Sequence, residues 1–318
     1  MWPIDERAKN PPDGWAGWPE GKKFALVLTH DVDTAKGQER CVQLAGLEEG
    51  LGFRSSFNFV AEGYPVSAPL RSYLTERGFE VGVHGLTHNG NPFRSKEVFQ
   101  KQAVKINRYL KEWGSVGFRS PSMYHNLDWI GELNIDYDAS TFDTDPFEPQ
   151  PDGVGTIFPF WVPRNSSRSG PDLDPLSFNL SPSSSNPELA TRHLPLATVS
   201  FGSLPPTSNL KPPTSSMGFV ELPYTLPQDH ALFVIMGEKD ISVWKKKLDW
   251  IVTNGGMALL NTHPNYMNFD GTNFGIDDYP VKYYVEFINY VKTNYRDQYW
   301  HVLPKNMARF WVSSLSTA

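Results

Sequence analysis

Asp31 and Asp33 stand two positions apart at the end of the apolar stretch FALVLTHDVDT (24–34). Side chains on an extended strand alternate sides, so both carboxylates face the same way. Two like charges in one small volume repel unless a cation or a donor network sits between them. Taken alone, such a pair is also a common solvated strand-end turn. The next polar cluster, VGVHGLTHNG (81–90), has His84 at the end of an apolar run and His88 four positions later. That spacing sets two imidazoles on one side of a helical turn, close enough to share a metal. Arg119 ends VGFRSP and His263 ends ALLNTHP. In a barrel or an open parallel sheet the strand C-termini gather at one face. One shared site therefore accounts for these strand ends better than a series of independent accidents.

Two imidazoles and one carboxylate make a three-ligand set for Zn²⁺ or a similar divalent ion, with a position left open for water. A second aspartate can take that water's proton as general base, and an arginine beside it can hold it through a bidentate contact. A separate histidine can protonate a leaving amine. Together these describe hydrolysis of an amide. Cys41 is the only cysteine, so thiolate clusters and intrachain disulfides are excluded and any metal falls to His, Asp or Glu. The net charge of −6 argues against a nucleic-acid partner. Asp5, Glu6, Arg7 and Lys9 occupy the place of a secretory signal's apolar stretch, so the chain reads as cytoplasmic. Nothing reaches the ~18–20 apolar residues of a membrane span, and no integral membrane association is expected.

The elements that must position these residues alternate along the chain. FALVLT (24–29), SSFNFV (55–60), FEVGVH (79–84), SVGFRS (115–120), MALLNT (257–262) and HVLP (301–304) read as strands. They are near-continuous apolar runs, as in a parallel sheet covered on both faces. Phe99, Ala103, Ile106, Leu110 and Trp113 carry a helical period that Gly114 stops. Ile241, Trp244, Leu248 and Ile251 repeat it before Gly255, and Tyr284, Ile288, Val291 and Tyr295 after Pro280. The class is α/β. Residues 1–22 read as an irregular arm packed on a single domain of 318 residues. About 165–218, rich in Ser and Pro, reads as a long insertion that buries little apolar surface by itself, either a flexible lid or a loop wrapped on the surface, and a homo-oligomer is a separate expectation for the chain.

The ordered motifs resemble the polysaccharide deacetylase family, the NodB-homology or carbohydrate esterase family 4 group. The resemblance covers about residues 22–305, interrupted by the insertion, and its specificity lies in the combination of motifs. It implies a distorted (β/α) barrel, TIM-like with about seven strands, that holds a divalent metal through Asp-His-His and removes acetyl groups from N-acetylated sugars. THDVD (29–33) is similar to the first motif, which makes Asp31 the base and Asp33 a metal ligand. HGLTH (84–88) makes His84 and His88 the other ligands. RSPSMY (119–124) resembles the third motif, in which Arg119 steadies the base. NTHP (261–264) matches the last, with His263 as general acid. DASTFDTD (138–145) falls where an acid that tunes this histidine belongs. Asp138 ranks ahead of Asp143 and Asp145 because it ends IDYD.

The family's usual aromatic after the third-motif proline is replaced by Ser122, whose backbone N–H could still serve an oxyanion hole. Ser122, Tyr124, Tyr224 and Tyr266 are the expected substrate contacts, with Trp161, Asp229 and His230 as further candidates for the groove. Zn²⁺ is the first expectation for the metal, and Co²⁺, Ni²⁺ or Mn²⁺ suit the same ligands. The substrate expected is an N-acetylated sugar of a glycan or its precursor. A cyclic amide or ureide opened on the same fold, as by allantoinase-like relatives, is the alternative. A glycan-binding barrel without turnover is the third reading.

Overall fold

The computed structural model describes residues 2–164 and 217–316. The expected insertion falls outside the described residues except for Met217 and for Gly218, which opens a strand. β1 (Phe24–Val32) is buried along all nine residues, as its apolar run demands. It pairs in parallel with β8 (Met257–Thr262) along one edge. Its other edge is shared, the first half with β11 (Tyr299–His301) and the second half with β2 (Ser56–Phe59).

From β2 the parallel order continues through β3 (Glu80–Val83), β4 (Gly117–Phe118), β5 (Tyr137–Asp138) and β7 (Gly218–Glu221). β6 (Phe160–Pro163) lies antiparallel on the outer edge of β7. Beyond β7, the backbone N–H groups of Thr225 and Leu226 both donate to Leu259 O of β8, 3.1 Å each. This link draws the curled sheet toward a barrel of seven parallel strands, β1, β2, β3, β4, β5, β7 and β8. A separate parallel pair, β9 (Met267–Asn268) and β10 (Tyr279–Pro280), follows β8.

The helices are set by local signals. α1 (Ala35–Leu51) starts at Thr34, whose Oγ1 accepts from Gly37 N–H, and stops at left-handed Gly52. α2 spans Ala68–Glu76. α3 (Lys96–Trp113) is capped by Ser95 and ends at Gly114, as its period predicts. The short α4 covers Leu127–Ile130. α5 (Ser242–Asn254) ends at Gly255, and α6 spans Lys282–Asn294. One strand expectation shifts: His301 ends β11 and α7 (Pro304–Ser316) begins where HVLP was read as a strand. Pro304 sits at the helix start, where its missing N–H costs nothing.

Leu26, Leu28, Phe57, Phe59, Leu44, Trp244, Leu248 and Phe287 form a core between β1, β2 and helices α1, α5 and α6. Each such side chain contributes about 1.5–3 kcal/mol by burial. The N-terminal arm packs on the domain through its tryptophans. Trp18 lies against Phe158, Trp300 and Trp311, and its Nε1 donates to Gly255 O at 2.7 Å.

Candidate active site and metal centre

The C-terminal ends of β1, β3, β4 and β8 converge, and residues at or just beyond those ends supply the site. Asp31 faces Asn58 across the β1–β2 register. Asn58 Nδ2 donates to Asp31 Oδ1 at 3.0 Å, and Asn261 Nδ2, from β8, donates to Oδ2 at 2.8 Å. Ser56 Oγ donates to Asn58 Oδ1 at 2.9 Å and so fixes which end of that amide meets Asp31. Gly82 leaves the space for this, because a Cβ there would lie 2.1 Å from Asn58 Oδ1. Arg119 Nε lies 3.6 Å from Asp31 Oδ1, while its Nη2 donates to Thr29 Oγ1 at 3.0 Å. The expected bidentate clamp is therefore a single longer ion pair, with the guanidinium turned to Thr29 by its Nη2. Burial opposes the charge of Asp31 most strongly, but His84, Arg119 and His263 outweigh it and hold the group below the usual carboxylate range.

Asp33 Oδ1 lies 3.3 Å from His84 Nε2 and 3.6 Å from His88 Nε2. One donor atom from each of the three lies within 4.8 Å of the others. His84 Nδ1 is 3.0 Å from Arg119 O, and only an N–H can face a carbonyl, so in the neutral imidazole it is Nε2, turned toward Asp33, that is free to bind a cation. Asp33 Oδ1 is buried with no hydrogen-bond donor among the described residues. A buried anionic oxygen without a donor is costly. One carboxylate and two imidazoles around such an atom fit a divalent cation. Gly85 turns this loop at φ 67°, where a Cβ would fall 2.7 Å from Pro121 Cγ, so HGLTH packs directly on the RSPSMY loop.

His263 follows β8, and its Nε2 lies 4.0 Å from Asp33 Oδ2. Its Nδ1 is 2.6 Å from Asp229 Oδ1, its backbone N–H donates to Asp229 Oδ2 at 2.8 Å, and Tyr279 OH donates to the same oxygen at 2.9 Å. Burial works against the imidazolium most strongly, but Asp229, then Asp33 and Asp31, push its pKa up to about 10.

This corrects the acid chosen from DASTFDTD. Asp138 is fully buried and accepts from Ser140 Oγ at 2.7 Å, Asp143 pairs with Lys247 Nζ at 2.5 Å, and Asp145 accepts from Tyr224 OH at 3.1 Å. All three belong to β5 and its extension. It is the segment after β7 that abuts β8 at Leu259, and it carries Asp229 to His263.

A cavity of about 170 Å³ opens on these groups. Asp31, Asp33, His84, His88 and His263 all reach it. Of the expected substrate contacts, Ser122 and Tyr266 line it, and Tyr266 stacks on His230 with ring centroids 5.1 Å apart. Ser122 and Met123 hold positive φ of 53° and 54°, a conformation stored at few non-glycine residues and here facing the cavity. Tyr124 and Tyr224 are not among its lining residues. The ring of Tyr124 lies against Gly90, where a Cβ would be 2.7 Å from Cε2, and buried Tyr224 stands behind Glu148 with its hydroxyl 2.9 Å from Oε1. Trp161, in β6, does not line it either.

Asn58, Asn261, Gln228 and Glu148 went unassigned in the sequence. The available signal was an amide inside an otherwise apolar strand, as in SSFNFV and ALLNT.

No family model matches the chain, and no curated protein matches its sequence. Solved structures do. A Mycobacterium smegmatis protein assigned by name to the polysaccharide deacetylases superposes with a TM-score of 0.59 at 16% identity over 92% of both chains. The chain has the polysaccharide deacetylase fold. A Pseudomonas aeruginosa PAO1 protein of the same designation gives 0.57 at 14% identity over 92% of both chains. The Puue allantoinase shares this fold as well, with a TM-score of 0.60 at 15% identity over 98% of both chains. The curled parallel sheet and the strand-end cluster are thus arranged on the deacetylase fold, with the loop after β8 supplying His263. Among the described residues no helix is long and apolar enough to cross a membrane.

Proposed function

We propose that the protein is a metal-dependent hydrolase of carbon–nitrogen amide bonds that removes the acetyl group from an N-acetylated sugar. The observation that carries this reading is the buried, donorless Asp33 Oδ1 facing two imidazole nitrogens, beside a second carboxylate that is fully hydrogen-bonded.

Asp33, His84 and His88 would hold the cation, which when bound supplies Lewis acidity to the carbonyl and to the attacking water. Asp31, kept ionised by its neighbours, takes a proton from that water as the oxygen–carbon bond forms. Asn58 and Asn261 keep both of its oxygens aimed. Arg119 opposes protonation of Asp31 until the water arrives. The backbone N–H of Ser122 would donate to the developing oxyanion from the cavity wall. His263, charged and held at Nδ1 by Asp229, gives its Nε2 proton to the leaving nitrogen as the carbon–nitrogen bond breaks. The products are a carboxylic acid and an amine. Acetate release from N-acetylated sugars, measured with Zn²⁺ or Co²⁺ restored, tests the reading against Asp31→Asn. Wild type without acetate release across mono- and oligosaccharides defeats it.

One observation favours a second substrate. The cavity is smaller than the about 300–1,000 Å³ of most ligand sites. A small cyclic amide fits it, and the same base, acid and metal ligands serve its ring opening. The Puue allantoinase has this fold over nearly its whole length. Formation of a new carboxylate from a ring substrate without acetate distinguishes this outcome.

A further inference from the structure

One wall of the cavity has no part in the chemistry described above. Phe147, Glu148 and Pro149 also line the cavity. Phe147 is braced by the N-terminal arm, its ring edge-on to Trp2 at 5.5 Å. Glu148 is held from behind: Tyr224 OH lies 2.9 Å from its Oε1, and Gln228 Nε2 donates to the same oxygen. Gln228 Oε1 in turn accepts from Asn261 Nδ2 at 3.2 Å, and the other hydrogen of that amide goes to Asp31 at 2.8 Å. A chain of amides therefore ties Glu148 to the proposed base. With Oε1 engaged twice, Oε2 is the oxygen left for a bound molecule. Tyr224 OH also lies 3.1 Å from Asp145 Oδ2 and has one hydrogen for two carboxyl groups. Burial, and then the charge of Asp145, push Glu148 up to about 8.

Resting on the amide-hydrolase reading, we propose that Glu148 determines specificity: it hydrogen-bonds a polar group on the leaving half of the substrate, and the 147–149 wall admits a single small ring bearing the amide. A sugar chain continuing past the first ring would run into this wall. The chain through Gln228 and Asn261 fixes the carboxyl of Glu148 relative to that of Asp31 on the same cavity. An N-acetylated monosaccharide and a five-membered cyclic ureide both present the required chemistry, one amide with a further hydrogen-bonding group on the same ring.

Calorimetric titration of the full-length, Zn²⁺-loaded Asp31→Asn protein separates binding from turnover. The probes are N-acetylglucosamine, hydantoin and a four-sugar N-acetylglucosamine chain. One of the one-ring probes binds, and the chain binds no tighter than its monomer. Adding Glu148→Ala weakens that one-ring probe about tenfold, as loss of one buried hydrogen bond does, whereas Glu148→Gln keeps the contact and stays within about threefold. Unchanged binding in the Glu148→Ala protein, verified as folded by its melting curve, overturns the proposal. So does a chain that binds about tenfold tighter than its monomer, or the failure of both one-ring probes to bind. Binding that follows the expected pattern in a wild type that hydrolyses neither probe defeats the hydrolase reading and leaves the role of Glu148 standing.

Discussion

Asp229→Asn is the most direct test of the acid half of the proposed mechanism. The substitution keeps the size of the side chain and can retain the hydrogen bond from Tyr279. It removes the charge 2.6 Å from His263 Nδ1. The imidazolium of His263 persists to about pH 10 against an ordinary value of 6.5. At 1.36 kcal/mol per pKa unit that preference is about 5 kcal/mol, with Asp229 the largest favourable contributor and Asp33 and Asp31 sharing the rest. A cation held by Asp33 repels the imidazolium, so in the loaded enzyme the alkaline limb of activity lies below pH 10. The direction of change on mutation is fixed all the same. Without Asp229 the acid loses its proton at lower pH, and the limb moves toward neutrality. An amide also offers Nδ1 either end, so the tautomer that points a proton from Nε2 at the leaving nitrogen is no longer enforced. A loss of about 10²–10⁴ in kcat is expected. The assay is kcat against pH for wild type, Asp229→Asn and Asp138→Asn. Asp138 does not touch His263 and leaves the limb where it is. A fully folded Asp229→Asn protein with kcat within about threefold of wild type and an unmoved limb would refute the assignment of His263 as acid.

The metal centre predicts that Zn²⁺ raises the melting temperature of metal-free wild type, by the equivalent of about 2.7 kcal/mol at one hundred times its Kd, and does not raise that of Asp33→Asn. Glu80 is buried beside Tyr137 OH and Lys305 N–H, and burial pushes it up to about 7 from 4.5. Its contribution to stability is full below about pH 4.5 and is lost as pH rises through about 7, a change of about 3 kcal/mol. Urea denaturation of Glu80→Gln should show that slope removed between those pH values. Trp18→Ala, which empties the space against Phe158, Trp300 and Trp311 and orphans Gly255 O, should cost about 3–5 kcal/mol in the same assay.

What could be read in the sequence was what short-range geometry dictates. Period two set Asp31 and Asp33 on one side of β1, and both line the cavity. The glycines at 114 and 255 marked helix ends because each adopts the left-handed conformation there. His84 and His88 do meet Asp33, at 3.3 and 3.6 Å, but through a bend with Gly85 at φ 67° and not through the helical turn that their spacing suggests. The partner of His263 was not legible, because it depends on which segment lies beside β8. The run IDYD reports only that Asp138 ends a strand. It says nothing of the pairing of Thr225 and Leu226 with Leu259, a contact made after the chain has left β5 and returned. The same blindness ranked Tyr224 as a substrate contact. An aromatic near a proline-rich turn looks alike from the sequence whether it faces a cavity or, as here, props up the glutamate that does.

The two carboxylates of the first motif divide their work by how each is satisfied. Asp31 has an amide on each oxygen and a guanidinium 3.6 Å away, so it is stable as an anion without further help. Asp33 has a buried oxygen without a hydrogen-bond partner among the described residues, set 3.3 and 3.6 Å from two imidazole nitrogens. Exchanging the two roles would leave a metal ligand whose two oxygens each already accept an amide hydrogen and a base with nothing to fix its direction. The amides of Asn58 and Asn261 thus account for which aspartate would bind and which would abstract. Asn58 is central to this, because its amide decides the state of Asp31 and depends on the absent Cβ of Gly82. A side chain at position 82 would displace Asn58 and free an Asp31 oxygen for the cation, degrading base and metal centre together although neither residue had been touched.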